Sequence, residues 1–342
     1  MTFNTKKEHC MPKVSLVIPA YNIESYIRRC IESVKHQTFT DFEAIVIDDA
    51  STDNTHAVLV EAIGDDTRFR LVRHEKNRGR HLARRSAAAL VSGEYVFCLD
   101  GDDELAPDFL QQIVGRMDEQ PVDMLHVGIT VIPENGVTPQ EAEGFAAYIN
   151  RPTMPLNDAD ILRMIFDEAN GQLLDWRVTQ RLYRAPLFKA AFERMTDEVL
   201  ERAEDAYEVF VLAALSETAD GFEACRGYIY HYGIGVTGTS KISMDTFGRF
   251  CKQFAACIQK TEEFVQEHGA TAELQSAYCG MVHKLLELLA NDWLVRVDPA
   301  EQEEALKPFA AAFNDAVVAR ELYRFVRDIA YEAIASEKEL PQ

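Results

Sequence analysis

Short apolar runs alternate with amphipathic helical patterns over residues 13–102 of this 342-residue chain. The run Val14–Ile18 predicts a buried strand, and Ile27, Cys30, Ile31 and Val34 recur after it at helical spacing. Further strands are predicted at 42–48, 68–74 and 95–99, with helices between them. This order predicts an α/β unit with a parallel sheet and right-handed crossovers, which is the architecture of a nucleotide-binding half.

The pattern changes twice after residue 103. Residues 107–117, 158–167 and 205–216 predict helices, 124–132 predicts a strand, and 133–155 predicts a polar connection. From residue 245 onward, amphipathic helical stretches at 245–268, 272–295 and 299–336 are interrupted only by Pro308. We therefore expect two domains, an α/β domain at 1–240 and an α-helical C-terminal domain at 245–342.

Composition places the chain among ordinary globular proteins, with 47% hydrophobic and 27% charged residues. No window approaches the roughly 18 apolar residues of a membrane-spanning helix, and the first residues lack the apolar stretch of a secretory signal. The seven cysteines are scattered without C-x-x-C spacing, so we expect reduced thiols and no zinc site. These features predict a cytoplasmic protein without a transmembrane segment.

The net charge of −21 is unevenly distributed. Residues 1–100 hold 14 Lys and Arg against 14 Asp and Glu, whereas residues 101–342 hold 21 against 42. A strongly acidic surface disfavours nucleic acid and anionic membranes, because both require basic patches on their partners. We therefore expect no nucleic-acid partner, while the balanced first part can still bind an anion locally.

Acidic residues follow two predicted strands at the sheet edge where parallel α/β folds bind ligands. Asp48 and Asp49 follow the second strand, and the run Asp100–Glu104 follows the fourth. Carboxylates this close repel one another unless a cation intervenes, and their oxygens suit Mg²⁺ or Mn²⁺. The alternative is a solvated acidic loop that complements the dipole of the next helix.

Three common nucleotide or metal motifs are missing. The first strand ends in Pro19-Ala20-Tyr21-Asn22 without G-x-G-x-x-G, and the chain has no G-x-x-x-x-G-K-[ST], which disfavours dinucleotide and P-loop binding. An EF-hand is excluded because Leu105 occupies the position that requires Gly, and Gln111 the position that requires Glu.

Four segments together resemble family-2 glycosyltransferases of the GT-A type. The first is VSLVIPAYN at 14–22, and the second is DDASTD at 48–53, which resembles the family's DDGSTD. The third is residues 77–85, which resemble the family's N-x-G…ARN but have Arg85 at the usual Asn. The fourth is LDGDD at 99–103, which resembles the LDSDD form of the D-x-D motif. Their order within about ninety residues makes the resemblance specific. It covers about the first 240 residues and implies a nucleotide-binding sheet flanked by helices, with a donor half at about 13–103 and an acceptor half at about 104–240.

The resemblance implies a role for each matching residue of the donor half. The backbone around Pro19 and Tyr21 would line the nucleotide pocket, and Asp49 would contact the base. Asp100 would contact the ribose. Asp102 would hold the divalent metal against the diphosphate.

Arg84 and Asp205 extend the implied site. Arg84 would lie near the donor phosphates; the alternative is a cation on the helix surface. Residues 201–208 resemble the family's ED motif, whose Asp is the catalytic base, so Asp205 is the predicted base and Glu204 the next candidate. Inverting transfer needs such a carboxylate because the acceptor hydroxyl loses its proton as its oxygen attacks the anomeric carbon. The alternative is an acidic helix start.

Two further segments carry a weaker likeness. Residues 180–184 resemble the family's NKLY stretch near the acceptor, with Trp176 upstream. Tyr228–Tyr232, followed by Gly233–Ser240, resembles the segment that closes over the donor diphosphate, and His231 replaces the usual Arg. His231 is therefore a predicted metal ligand or phosphate contact; the alternative is an edge-strand histidine in an aromatic cluster.

The leading hypothesis is a metal-dependent inverting glycosyltransferase with Mn²⁺ or Mg²⁺, a nucleotide-sugar donor that is most often UDP-linked in this family, and a hydroxyl acceptor on a carbohydrate or glycoconjugate. Its expected role is surface polysaccharide or glycoconjugate synthesis in the cytoplasm, with acceptors at the inner face of the membrane. A nucleotidyltransferase is one alternative, although it usually needs a Gly-rich loop after the first strand. A scaffold of the same fold without transfer activity is another.

The tail is expected to bind a protein partner or a second copy of the chain, because each apolar stripe needs a surface to cover it. The acidic outward faces oppose attraction to anionic lipid headgroups. The alternative is an intramolecular cap on the catalytic domain.

Overall fold

The computed structural model describes residues 11–166, 174–234 and 241–338, with the side chains of 315 and 328–338 outside that description. The strands of these residues are β1 Val14–Ala20, β2 Phe42–Asp48, β3 Phe69–Arg73, β4 Tyr95–Cys98, β5 Glu104–Leu105, β6 Met124–Val127, β7 Ile129–Pro133, β8 Leu156–Asn157, β9 Arg181–Arg184, β10 Thr218–Phe222 and β11 Tyr228–Tyr232. Eight of them form the main sheet in the order β3-β2-β1-β4-β9-β6-β10-β8. The others form a small sheet in the order β5-β11-β7.

Helices connect and cover these strands. They are α1 Ile27–Lys35, α2 Thr55–Ile63, α3 Gly79–Ala88, α4 Phe109–Glu119, α5 Pro139–Ile149, α6 Ala159–Phe166, α7 Ala185–Arg194, α8 Glu204–Leu215, α9 Met244–Glu267, α10 Ala272–Asn291, α11 Gln302–Phe313 and α12 Asp315–Lys338. A 3₁₀ turn spans Val178–Gln180, and a π-helical turn spans Asp292–Arg296. The apolar stripe that predicted α1 is buried, as helical spacing requires.

The predicted parallel sheet is confirmed for its first four strands, since β1 pairs in parallel with β2 and β4, and β2 with β3. Val17 and Leu16 point to different hydrophobic clusters, which shows that β1 is buried on both faces. In this register Ala20 lies opposite Asp48. Leu99 N donates to Val17 O at 3.0 Å. The acidic residues after β2 and β4 therefore emerge at one edge of the sheet.

The sheet becomes mixed beyond β4, because β9 runs antiparallel to both β4 and β6. The prediction of one strand at 124–132 is wrong: β6 joins the main sheet, β7 joins the small sheet, and Gly128 separates them. A Cβ at Gly128 would clash with the backbone oxygen of Glu223. The chain can therefore pass between the two sheets here only without a side chain.

The polar connection predicted at 133–155 contains α5, so that prediction is wrong. Thr138 Oγ1 accepts from Glu141 N, and the Glu141 carboxylate accepts from Thr138 N at 2.8 Å. This capping box, with Pro139 at the first helical position, starts α5 despite its polar composition. The strands β9 and β10 were also missed, because both are short and contain charged or small residues.

The end of the helical tail differs from its prediction. The stretch predicted at 299–336 is two helices, α11 and α12, which separate at Asn314 with φ +64°. With a ψ of 155° as well, Asn314 lies outside the helical region of backbone conformation, so α11 ends there. Pro308 lies inside α11.

Most of the apolar stripes of the tail are covered within the chain. Phe247, Cys251 and Phe254 of α9 are buried, and the ring of Phe264 meets Phe210 of α8 edge-on at 6.3 Å. One hydrophobic cluster contains residues of the main sheet, α8 and the tail. Other stripe positions, Leu288 and Val326, are exposed. A partner for the tail and the division into two domains both stay predictions.

Thiols and helix hydropathy add two findings. The six cysteines of the described residues are free thiols, and Cys279 alone among these six is exposed. The expectation of reduced thiols is therefore met at these positions. Among the described helices, none combines the length and apolarity that crossing a membrane requires.

We expect Phe309→Ala in α11 to lower the free energy of unfolding by about 3–5 kcal/mol, because Phe309 is fully buried in the shared cluster and packs edge-on against Phe247 at 5.9 Å. Denaturant unfolding should show one transition that shifts as a whole. Tyr323→Ala is the matched control, since this aromatic residue of α12 is 71% exposed and should cost under about 0.5 kcal/mol. Two separate transitions, of which only one moves, would contradict a shared core.

Candidate active site

A cavity of about 590 Å³ lies at the carboxyl edge of β1, β2 and β4. The loop before α8 and the first turns of α9 form another part of its wall. Five of the eight predicted site residues line it: Pro19, Tyr21, Asp49, Asp100 and Asp102. The other three, Arg84, Asp205 and His231, are not among its lining residues.

Asp49 holds the start of α3. Its carboxylate accepts from Arg78 N at 2.9 Å and Gly79 N at 2.7 Å, and His74 Nδ1 lies 2.6 Å from Asp49 Oδ1. The turn after it places Ala50 at φ +60°, where the family motif has Gly. Asp49 therefore fixes this wall of the cavity through protein contacts, and its predicted contact with the base stays a prediction.

The acidic run Asp100–Glu104 is divided between two tasks. Asp103 is buried, and its carboxylate accepts from Tyr228 Oη at 2.6 Å and His231 N at 2.9 Å. Asp100 and Asp102 line the cavity. A solvated loop does not describe this run, because its middle is tied into β11.

Carboxylate oxygens of Asp100, Asp102 and Asp103 lie within 4.8 Å of one another. Burial, and then the charge of Asp100, raises the pKa of Asp102. Burial, and then the charge of Asp102, raises the pKa of Asp103 well above its usual value. A set of hard oxygen donors whose ionised forms destabilise one another fits a divalent cation such as Mg²⁺ or Mn²⁺.

His231 is buried on β11 and faces other carboxylates. Its Nε2 lies 2.8 Å from Glu104 Oε1, and its Nδ1 lies 3.0 Å from Glu134 Oε1. Both ring nitrogens are therefore engaged outside the three-aspartate group, and a role as metal ligand stays a prediction. Residues 235–240 of the segment predicted to close over the diphosphate lie outside the described residues.

Arg84 is completely buried at the centre of an ionic network, so the alternative of a surface cation is wrong. Its Nη1 donates to Asp205 Oδ1 at 2.6 Å and to Glu208 Oε2 at 3.0 Å, and its Nη2 donates to Asp100 Oδ1 at 3.2 Å. His81 supports the same network, with Nδ1 2.9 Å from Glu208 Oε1. A single guanidinium therefore joins the D-x-D edge to the predicted base.

The surroundings of the two acidic residues at the start of α8 shift their pKa values in opposite directions. Burial would raise the pKa of Asp205, but Arg84 and Arg80 outweigh burial and lower it. Burial raises the pKa of Glu204, although Arg80 Nε lies 2.8 Å from Glu204 Oε1 and opposes the shift. Of the two residues, Asp205 is therefore the one whose surroundings favour the ionised form that a base requires.

Sequence reasoning missed His81, Glu208 and the wall supplied by α9. His81 lies three residues before Arg84 on α3, and Glu208 three residues after Asp205 on α8, so helical spacing placed both on the relevant faces. The α9 wall consists of Thr246, Arg249, Phe250 and Gln253. No motif marks these four residues.

The sequence model of the family described as "Glycosyl transferase family 2" matches residues 15–180, which include the acidic edge and Arg84. Residues 15–180 therefore form a family 2 glycosyltransferase domain. Membership sets aside the nucleotidyltransferase and scaffold alternatives, and the resemblance of the opening motifs is confirmed.

Relatives and solved structures agree with the family. The succinoglycan biosynthesis protein ExoO of Rhizobium meliloti (strain 1021) is 31% identical over 230 residues, 65% of this chain and 61% of ExoO. The crystal structure of S. aureus TarS 1-349 in complex with UDP matches with a TM-score of 0.59 and 21% identity, over 89% of this chain and 82% of that one. The mannosyltransferase PcManGT from Pyrobaculum calidifontis, in complex with GDP-Man and Mn²⁺, matches with a TM-score of 0.52 and 17% identity, over 96% and 83%. These structural likenesses establish the GT-A fold.

We expect Arg84→Met to lower the free energy of unfolding at neutral pH by about 3–5 kcal/mol, because it leaves three carboxylates without their shared cation. The loss should shrink on acidification. The pKa of Asp205 is lowered in the folded state, so the stability from its ionised form is present above the usual 3.8 and is lost as the pH falls through the lowered value.

Denaturant unfolding at pH 7, 4 and 3 measures this effect. Arg28→Met is the control, because Arg28 forms a surface pair with Glu61 at 2.7 Å and is 46% exposed, and surface pairs contribute about 0–1 kcal/mol. Equal losses in the two variants at pH 7 would show that the buried network does not stabilise the fold.

Proposed function

We propose that this glycosyltransferase is metal-dependent and inverting, and moves a sugar from a UDP-sugar to a hydroxyl acceptor on a carbohydrate or glycoconjugate. The observation that carries the proposal is the contact of one buried guanidinium, Arg84, with both Asp100 and Asp205. Asp100 lines the cavity beside Asp102. This network supports a site in which one bound sugar reaches both the donor edge and the base.

The donor would occupy the cavity at the edge of β1, β2 and β4. Pro19, Tyr21 and Asp49 line the side nearest α3, which supports the nucleoside end there. TarS, whose fold this chain shares, was solved with UDP. The TarS complex supports a UDP-linked donor, and the GDP-Man complex of PcManGT makes a GDP-linked donor the alternative to test.

Asp102 would hold Mn²⁺ or Mg²⁺, with Asp100 as its partner at the cavity. Asp103 contributes less, because its carboxylate already accepts from Tyr228 and His231 N. The bound ion would act as a Lewis acid that stabilises the leaving diphosphate. PcManGT, which shares the fold, was solved with Mn²⁺. We keep His231 as a secondary candidate, since its contact with Glu104 places it close to the acidic run.

Asp205 is the proposed base. Its carboxylate takes the proton of the acceptor hydroxyl as the hydroxyl oxygen bonds to the anomeric carbon, and the bond from that carbon to the diphosphate oxygen breaks. Attack from the face opposite the nucleotide inverts the anomeric centre. The positive charge of Arg84 keeps Asp205 ionised, and its hydrogen bond to Oδ1 orients the carboxylate. The other carboxylate oxygen is left for the acceptor hydroxyl.

We place the reaction in the synthesis of a surface polysaccharide or glycoconjugate. The similarity to ExoO, a succinoglycan biosynthesis protein, supports this context. A cytoplasmic enzyme that meets acceptors at the inner face of the membrane remains our expectation from the sequence.

We expect Asp102→Asn to abolish the Mn²⁺-dependent part of UDP binding, because an amide lacks the charge that attracts the cation. Calorimetry of UDP binding with and without Mn²⁺ measures this. Asp65→Asn is the control, since Asp65 is an exposed acid away from the cavity. Unchanged Mn²⁺ dependence in the Asp102 variant would remove the metal role from this residue.

Asp205→Asn should lower kcat at least about a hundredfold and leave the dissociation constant of UDP nearly unchanged, because the amide keeps the shape and cannot accept the proton. Glu204→Gln is the matched comparison at the adjacent position. Initial rates with a polysaccharide acceptor, measured below the melting temperature of each variant, separate the two residues. If Glu204→Gln loses the activity and Asp205→Asn keeps it, Glu204 is the base.

A further inference from the structure

Helix α9 is fixed against the loop that leads into the catalytic helix α8. Glu201 N donates to Gln253 Oε1 at 3.1 Å. The guanidinium of Arg202 lies 3.9 Å from the ring centre of Phe250, and its Nη2 donates to Asp292 Oδ2 at 2.9 Å. These contacts fix the first turns of α9 as one wall of the donor cavity. This wall comes from residues far beyond the family motifs in the sequence.

Three arginines line this cavity, and they differ in their partners. Arg80 pairs with Glu204 at 2.8 Å, and Arg202 pairs with Asp292. Arg249 of α9 makes one hydrogen bond within the described part of the chain, from Nη2 to Thr246 Oγ1 at 3.4 Å, and no ion pair there. Its guanidinium therefore has donors left for a ligand.

The chain carries a net charge of −21, and Asp49, Asp100 and Asp102 line the same cavity as Arg249. Arg249 is exposed, so a ligand in the cavity can reach its guanidinium. A nucleoside diphosphate brings further negative charge, and the planar fork of an arginine matches two phosphate oxygens.

We propose that Arg249 binds the diphosphate of the donor, so that the C-terminal helices complete the donor site across from the acidic edge. The inference rests on the proposed function, because it requires a nucleoside diphosphate in this cavity. It goes beyond that function by assigning a binding residue outside the matched residues 15–180. The tail then contributes to donor affinity as well as to the core.

The test compares nucleotides with and without phosphates on the full chain in the presence of Mn²⁺. Arg249→Ala should weaken UDP binding about tenfold or more in calorimetry, since a hydrogen bond to a charged group is worth about that factor. Uridine affinity should be unchanged. Arg249→Lys should fall between wild type and Arg249→Ala, because it keeps the charge and loses the fork.

Lys252→Ala is the matched control. Lys252 is an exposed cation one turn further along α9 that does not line the cavity, and its loss changes the net charge equally. Its UDP affinity should equal that of wild type. Equal melting temperatures of the Arg249 variants and wild type would show that the fold is kept.

Each outcome decides the inference. Unchanged UDP affinity in Arg249→Ala overturns it, and so does an equal weakening of UDP and uridine. A wild-type protein that binds GDP and guanosine but not UDP overturns the proposed uridine donor. The same Arg249 variants are then compared with GDP and guanosine in place of UDP and uridine. A wild-type protein that binds neither diphosphate overturns both proposals.

Discussion

The buried Arg84 guanidinium is the contact on which the active-site architecture depends. It binds Asp100 at the end of the parallel sheet and Asp205 and Glu208 on α8, which lie more than a hundred residues later in the chain. Burying a charge is costly unless opposite charges and hydrogen bonds surround it. The charges of Arg84 and the three carboxylates therefore stabilise one another, and their hydrogen bonds link α3, the end of β4 and α8.

The same electrostatic logic divides the acidic run. Asp103 lies in the interior and gives its oxygens to Tyr228 and the backbone of His231, which ties the run to the small sheet. Asp100 and Asp102 remain at the cavity. Burial and the charge of Asp100 raise the pKa of Asp102. Two ionised carboxylates at this edge are therefore less stable alone than with a bound cation or with one of them protonated.

The tail shares a hydrophobic cluster with the main sheet and α8. Phe210 of α8 meets Phe264 of α9, and both belong to the cluster that also contains Val17 of β1. Arg202, just before α8, is held between Phe250 and Asp292 of the tail. The position of α8 therefore depends on helices beyond the matched family residues.

The sequence by itself determined the parallel half-sheet, most helices and the acidic edge, because apolar periodicity and strand-end motifs are local properties of the chain. It did not reveal α5, which a capping box starts, or the split at Gly128, which a close backbone approach requires. It also did not reveal the division of 299–336, where Asn314 has a positive φ. Only the tertiary structure showed that Arg84 contacts Asp205 and that α9 lines the cavity. Those contacts join residues far apart in sequence, and no local pattern records which distant charge a buried side chain will meet.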